Sequence, residues 1–97
     1  MRAVLHPKVY SDVEKIMQYY EQAANRKLAD EFYAELRLLI DEAAARPESF
    51  SIRVGEIRRV NLRRFPYLFL FRIVGDSVRI LVVRHHKRHP SFGIARR

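Results

Sequence analysis

The sequence predicts an α+β fold with the element order βααβββ, and three observations lead to this prediction. A short alternating stretch opens the chain, two stretches with apolar residues at helical spacing follow it, and three apolar runs separated by turn residues fill the last third. With 97 residues, the chain has room for a single domain, residues 1–97, built around one modest hydrophobic core.

The first strand and the first helix are predicted for the first 24 residues. Met1–Leu5 alternates weakly and is followed closely by Pro7, which terminates a strand. Ser11 and Glu14 have the spacing of a capping box, in which each side chain accepts a hydrogen bond from a backbone N–H group of the first turn. The helix is therefore expected to begin near Ser11 or, alternatively, a few residues earlier, just after Pro7.

The second helix is predicted between a polar break at Asn25-Arg26 and Pro47. Its apolar face consists of Leu28, Phe32, Leu36, Leu39, Ile40 and Ala43. Because proline disfavours helical backbone before it, the helix is expected to end before Pro47. The short connection predicts that the two helices form an antiparallel αα-hairpin, and residues 47–51 are predicted to form a loop.

The last third of the chain is predicted to form an antiparallel three-stranded meander. Its strands are Ile57–Leu62, Tyr67–Val74 and Ser77–Arg84, and the connections contain Phe65-Pro66 and Gly75-Asp76. The two-residue loop at Gly75-Asp76 determines which residues face each other across the second hairpin.

The register predicts two apolar faces. One face carries the pairs Ile73–Val78, Phe71–Ile80 and Phe69–Val82. This face is expected to be the core face. The other face carries the pairs Arg72–Arg79, Leu70–Leu81 and Leu68–Val83. Because two arginines directly opposite each other are unfavourable unless an anionic group relieves them, this open face is the candidate working surface.

Positive charge is concentrated in the second half of the chain. Residues 1–50 contain seven Lys or Arg against nine Asp or Glu, whereas residues 51–97 contain twelve against two, so that the net charge is +8. This distribution predicts an anionic partner: nucleic acid, a ribonucleoprotein or an acidic protein. The absence of cysteine excludes disulfides and thiolate metal sites, and no apolar run approaches the length of a membrane span, so a cytoplasmic location is expected.

The residues that leave the last strand, Arg84–Pro90, carry three histidines among three cations. Phosphodiester cleavage uses imidazole as base or acid and a cation on the charged phosphorane, which makes His85, His86 and Arg88 catalytic candidates. A surface that contacts phosphate or an acidic partner is the commoner role of such a segment. A zinc site is disfavoured because the neighbouring cations repel a metal ion, and no cofactor is expected.

The chain resembles the RelE/ParE superfamily of bacterial toxins over nearly its whole length. The resemblance is carried by the segment Arg63–Ile73, which contains Phe65-Pro66-Tyr67, by the Gly75-Asp76 turn, and by the His85–Pro90 exit. It implies a two-layer fold in which the first strand pairs with the last and both helices cover one face of a mainly antiparallel four-stranded sheet.

The resemblance also implies a partner, the cognate antitoxin of a type II toxin–antitoxin system, which wraps the toxin and neutralises it. The apolar stripe of the open face is the predicted antitoxin contact. This stripe consists of Leu68, Leu70, Leu81 and Val83.

Two targets follow from the resemblance. ParE-like members, which the sequence resembles more closely, poison DNA gyrase without chemistry of their own, whereas RelE-like members cut mRNA in the ribosome. Leu68 occupies a position where the ribonucleases tend to have an Arg, and no Tyr follows Tyr67, so the gyrase target is favoured. The predicted contacts with phosphate or with the target are Arg59, Arg63, Arg72, Arg79, Arg84 and Lys87. A further alternative is a non-toxic basic module that binds nucleic acid, or an inactive toxin copy.

Overall fold

The structure, a computed structural model, describes residues 1–97. The helices are α1 (Pro7–Ala23) and α2 (Arg26–Ala45), followed by a 3-10 turn at Pro47–Ser49. The strands are β1 (Arg2–Leu5), β2 (Ile52–Val54), β3 (Ile57–Asn61), β4 (Tyr67–Val74) and β5 (Ser77–His85). They form one sheet in the order β1-β5-β4-β3-β2, in which β1 and β5 are parallel and the other pairs antiparallel. The α+β class and the pairing of the first strand with the last are confirmed.

Helix α1 begins at Pro7, so the alternative start is right and the start at the Ser11 capping box is wrong. His6 is the N-cap, and its Nδ1 accepts a hydrogen bond from the Lys8 N–H at 3.0 Å. Pro7 suits the first helical position because its missing N–H group would have no partner there. The His6 N–H donates to the Ile80 carbonyl at 2.8 Å, so this residue joins β1, α1 and β5.

Helix α2 begins and ends as predicted. The Asn25 side chain caps it by accepting a hydrogen bond from the Leu28 N–H at 2.8 Å. The helix ends at Ala45, two residues before Pro47. Its buried apolar face packs with α1 and the sheet in a cluster of 17 buried residues.

The centre of this helix-side core is aromatic. The rings of Tyr20, Phe32, Phe65 and Tyr67 lie 5.3 to 6.1 Å apart between their centroids. Most of these contacts are edge-to-face, the arrangement that aromatic quadrupoles favour. Burial, with Tyr67 and Tyr19 nearby, raises the pKa of Tyr20 to about 12, so its hydroxyl stays neutral at physiological pH.

The predicted register of the β4–β5 hairpin is right from the turn to Phe71 and wrong beyond it. Val74 faces Ser77 and Phe71 faces Ile80, as the two-residue loop requires. A β-bulge then leaves Leu81 without a partner, so Leu70 faces Val82, Phe69 faces Val83 and Leu68 faces Arg84. The extra residue exchanges the faces of the two valines: Val83 belongs to the helix-side core and Val82 to the outer face.

The sheet has a fifth strand that the sequence did not indicate. β2 pairs with β3 through Ile52 opposite Arg58, and the Arg59 N–H donates to the Ser51 carbonyl at 3.1 Å. All three residues of β2 are exposed, with Ile52 58% accessible. A strand without a buried face leaves no alternating pattern, and β2 was therefore missed.

The outer face of the sheet is not open. Leu68, Leu70, Leu81 and Val82 form a second buried cluster, and all four are at most 1% exposed. Phe92 and Ile94 pack on this cluster from residues 91–97, which we call the C-terminal segment. The predicted apolar working surface is thus a small second core covered by the chain itself.

Candidate functional site

The three histidines that end β5 or follow it lie in three different environments. The edge of the His85 ring contacts the Tyr67 ring, with 5.1 Å between centroids, and its Nδ1 accepts a hydrogen bond from the Lys87 N–H at 3.0 Å. His89 Nδ1 accepts from the Ser91 N–H at 3.1 Å and lies 2.7 Å from the Ser91 hydroxyl oxygen. Both rings therefore shape the chain at the exit of β5.

His86 is the one of these three histidines that contacts a cation of another strand. Its Nδ1 lies 3.4 Å from Nη2 of Arg59, whose Nε donates to the Asn61 side chain at 2.8 Å. The His86 N–H donates to the Pro66 carbonyl at 3.0 Å, which fixes the backbone next to β3 and β4. The structure therefore brings together two of the predicted site residues, the exposed His86 and the partly buried Arg59.

Arg84, a predicted phosphate contact, is buried. It is 4% exposed, its Nη1 donates to the Phe92 carbonyl at 2.7 Å, and its Nε has no hydrogen-bond partner. Burial, together with the positive charges of Arg59 and Arg53, lowers the pKa of this guanidinium. Arg84 thus attaches the C-terminal segment to the sheet and reaches no phosphate in this arrangement.

Arg72 and Arg79 face each other as predicted. Arg79 Nη2 donates to a main-chain oxygen of Arg97 at 2.7 Å, and Arg72 Nε is buried without a partner. The expected relief of the like charges comes in part from the C-terminal segment, because a main-chain oxygen of this segment accepts a hydrogen bond from one of the two guanidinium groups.

The remaining predicted contacts are exposed and accessible to a partner. Arg63 and Lys87 are exposed and form no ion pair, and Arg88 lies over the Phe92 ring at 4.3 Å from its centroid. Arg59 contacts His86, and Arg63, Lys87 and Arg88 are exposed cations on the connection before β4 or just after β5. We call these five residues the β5-exit surface.

The predicted antitoxin contacts are not accessible. Leu68, Leu70 and Leu81 lie beneath Phe92 and Ile94 on the outer face. Val83 lies on the opposite face, so its assignment to the outer stripe is wrong. The bulge at Leu81 moves Val83 to the other face, and the C-terminal segment covers the three leucines; a pattern of apolar residues reveals neither.

Sequence reasoning missed the contact that holds the C-terminal segment in place. Arg96 donates to both carboxylate oxygens of Asp12, at 2.6 and 3.2 Å, and also to the Leu81 carbonyl at 3.1 Å. Asp12 in addition accepts from the Val83 N–H at 3.1 Å. These side chains are 13% and 11% exposed, so the ion pair is largely removed from water.

Two features bear on other classes of site. No three His, Cys, Asp or Glu side chains lie together in a way that would hold a metal ion. Neither helix is both long and apolar enough to cross a membrane.

A family model described as "ParE toxin of type II toxin-antitoxin system, parDE" matches residues 3–90 of the chain. The chain belongs to the ParE toxin family. The match includes the β5-exit surface and stops short of the C-terminal segment, so the cover of the outer face lies outside the matched residues of this ParE-family protein.

Individual relatives agree with the family. Two proteins of Mycobacterium tuberculosis, from strains CDC 1551 / Oshkosh and ATCC 25618 / H37Rv, are both named Toxin ParE2. Each is 29% identical over 94 residues, which cover 93% of this chain and 86% of the relative.

A solved structure titled "Chromosomal ParDE TA system from P. aeruginosa" contains a chain with a TM-score of 0.79 at 18% identity. The superposition covers 88% of this chain and 95% of that chain. This likeness shows that the two chains share a fold.

Proposed function

We propose that this ParE-family protein arrests bacterial growth by binding DNA gyrase through the β5-exit surface. The observation that carries the proposal is the separation of the histidines: His85 and His89 are used by the local backbone, and only His86 approaches a cation of another strand. Acid–base cleavage of a phosphodiester bond uses a positioned base for the attacking hydroxyl and a positioned acid for the leaving oxygen. A surface of unpaired cations needs no such convergence and suits a binding partner.

Pulse labelling in bacteria tests the target. Minutes after the chain is induced without an antitoxin, incorporation of labelled thymidine is expected to fall before incorporation of labelled leucine. The reverse order would favour the RelE-like alternative, cleavage of mRNA in the ribosome. No change in either would indicate an inactive copy or a non-toxic binding module.

Substitutions then separate binding from catalysis. Replacing both His85 and His86 by Ala is expected to leave part of the toxicity, because cations carry the contact, whereas Arg59→Glu with Lys87→Glu is expected to abolish it. The matched control is Lys27→Glu with Arg37→Glu, two exposed residues of α2 that undergo the same change of charge. Complete loss of toxicity in the histidine variant, with cleaved mRNA in the wild type, would contradict the proposal.

We further propose that a cognate antitoxin neutralises the protein and that one of its segments replaces the C-terminal segment on the outer face. The chain itself shows what this face accepts, since Phe92 and Ile94 lie on Leu68, Leu70 and Leu81. The cover is held by a few side chains, among them Arg96 on Asp12 and Arg84 on the Phe92 carbonyl. A competing apolar segment that offers a cation to Asp12 and a carbonyl oxygen to Arg84 can take its place.

Hydrogen exchange on the complex with the antitoxin tests this arrangement. The amides of residues 92–96 are expected to exchange faster in the complex, while the amides of β4 and β5 stay protected. An alternative seat is the apolar groove of about 610 Å³ between β1, α1 and α2, whose lining includes Leu5, Val9 and Val13. Protection confined to that groove, with unchanged exchange at residues 92–96, would contradict the proposed seat.

A further inference from the structure

A cleft of about 510 Å³ lies beside the free edge of β5, between α1 and the C-terminal segment. β1 pairs only with Ser77–Ile80, so residues 81–85 of β5 have no strand on that side. The cleft is lined by residues of α1 from Lys8 to Tyr19, by Val83–His85, and by side chains of the C-terminal region. We call it the β5-edge cleft.

The charge of the β5-edge cleft is strongly positive. Asp12 is its only carboxylate, and this group is already occupied by Arg96 and by the Val83 N–H. Lys8, Lys15 and Arg88 also line the cleft, and none of them forms an ion pair. Like charges gathered around one cavity repel each other unless an anion occupies it.

The other groups of the cleft are hydrogen-bond donors on aromatic walls. Tyr19, Tyr67 and Phe92 contribute rings, and the guanidinium of Arg88 is held over the Phe92 ring. Burial raises the pKa of Tyr67, so its hydroxyl keeps its proton and can donate. Lys, Arg and Tyr side chains are the groups with which proteins contact the phosphates and sugars of nucleic acids.

We propose that the β5-edge cleft binds a phosphodiester group of duplex DNA, so that the protein contacts the DNA backbone directly. The cleft takes its free cations from two elements, Lys8 and Lys15 from α1 and Arg88 from the chain after β5. Such an arrangement suits a phosphodiester, whose two unesterified oxygens accept hydrogen bonds from several directions. This inference deepens the proposed function. Only the identity of the DNA, as the segment bound by gyrase, rests on that proposal.

Fluorescence anisotropy with a short labelled DNA duplex, in the absence of gyrase, tests the proposal. The variant Lys8→Glu with Lys15→Glu is expected to lose at least about tenfold in affinity at low salt. The slope of log K against log salt concentration is expected to fall by about one for each lost phosphate contact. Both lysines are exposed, and a glutamate at position 8 suits the first turn of α1, so circular dichroism should show an unchanged fold.

The control variant is again Lys27→Glu with Arg37→Glu, which changes the net charge equally and lies outside the cleft. It is expected to keep the salt slope of the wild type. Equal losses of DNA affinity in both variants would show that the effect comes from the overall charge, and would overturn the proposal. A poly-glutamate peptide that binds more tightly than the duplex, and is weakened by the same two substitutions, would assign the cleft to an acidic protein and overturn it as well.

The experiment separates the two proposals because it contains no gyrase. If the duplex does not bind, the β5-edge cleft is not a DNA site, while inhibition of purified gyrase can still be observed. If the duplex binds as expected and gyrase is not inhibited, the proposed target is wrong and the cleft remains a DNA site.

Discussion

The two faces of the sheet bury similar side chains under very different covers. The helix-side face lies beneath α1 and α2 in a cluster of 17 buried residues, and the outer face has four buried residues beneath Phe92 and Ile94. The helices bring large apolar faces and their own hydrogen bonds. The C-terminal segment has only short turns, and it is held by a few polar groups, chiefly Arg96 on Asp12 and Arg84 on the Phe92 carbonyl.

This difference fits the proposed exchange of covers on the outer face. The face covered by two helices stays covered in the folded protein, because opening it would expose most of the core. A cover of seven residues buries less surface than two helices, so we expect its local opening to require less free energy than global unfolding. The outer face therefore suits exchange of one cover for another, which the helix-side face does not.

The largest expected loss of stability comes from a substitution in the helix-side core. Phe71 is fully buried and contacts Phe50 and Phe69. Phe71→Ala is expected to lower the free energy of unfolding by about 3 to 5 kcal/mol, since it removes a large side chain and leaves a cavity. Chemical denaturation followed by circular dichroism measures the change. A loss below about 1 kcal/mol would show that this face is not the main core.

The next effect concerns the close approach of the C-terminal segment to the sheet. Gly93 has φ +84°, and a Cβ at this position would lie 2.5 Å from the Cβ of Val82. Gly93→Ala is expected to cost about 2 to 3 kcal/mol, from the left-handed backbone and the overlap together. The exchange of the amides at residues 92–96 should also accelerate.

Gly75 offers a matched control for this substitution. It has φ +61° and no atom within 4 Å of an added Cβ. Gly75→Ala is therefore expected to cost only the backbone strain, about 1 kcal/mol, and to leave exchange in the C-terminal segment unchanged. Equal costs for the two substitutions would argue against tight packing of the segment on Val82.

Removal of the ion pair should weaken the outer cover by a smaller amount. Asp12→Ala leaves Arg96 and the Val83 N–H without their acceptor, and we expect a loss of about 1 to 2 kcal/mol in the free energy of unfolding. Asp41→Ala, which removes an exposed carboxylate of α2, is the control and should have little effect. If both variants unfold at the same denaturant concentration, the pair contributes nothing to holding the segment.

The smallest effect is a pH dependence at the junction of β1 and α1. Burial, followed by the positive charges of Arg96, Arg79 and Lys8, lowers the pKa of His6 from its ordinary value of 6.5. The folded state therefore disfavours the protonated ring, and protonation also removes the acceptor that caps α1. The contribution of His6 to stability is complete above pH 6.5 and is lost as the pH falls through the lower pKa of the folded state.

The variant His6→Asn isolates this contribution, because asparagine caps a helix without titrating. The midpoint of thermal unfolding should fall less between pH 7.5 and pH 5 in the variant than in the wild type. An identical fall in both proteins would mean that other groups cause the pH dependence.

Much of the fold was predictable because it depends on neighbours in the sequence. The turn at Gly75-Asp76 set the pairing of Arg72 with Arg79, and the Asn25 break separated the helices. The bulge at Leu81 was not predictable, because the edge groups around it are satisfied by Asp12 and Arg96, which lie 84 residues apart. Of the predicted contact residues, Arg63 and Lys87 are exposed, whereas the burial of Arg84 depends on where Phe92 comes to lie.

By itself, the sequence determined the order of the elements, the two apolar faces of the hairpin near its turn, and the basic character of the β5 exit. These properties follow from local periodicity, from turn chemistry and from charge, which act over a few residues. Only the tertiary structure decided which face stays accessible and where the cations form a cleft. Both outcomes arise from contacts between α1, the free edge of β5 and the C-terminal segment, and the residues that form these contacts carry no signal of their partners.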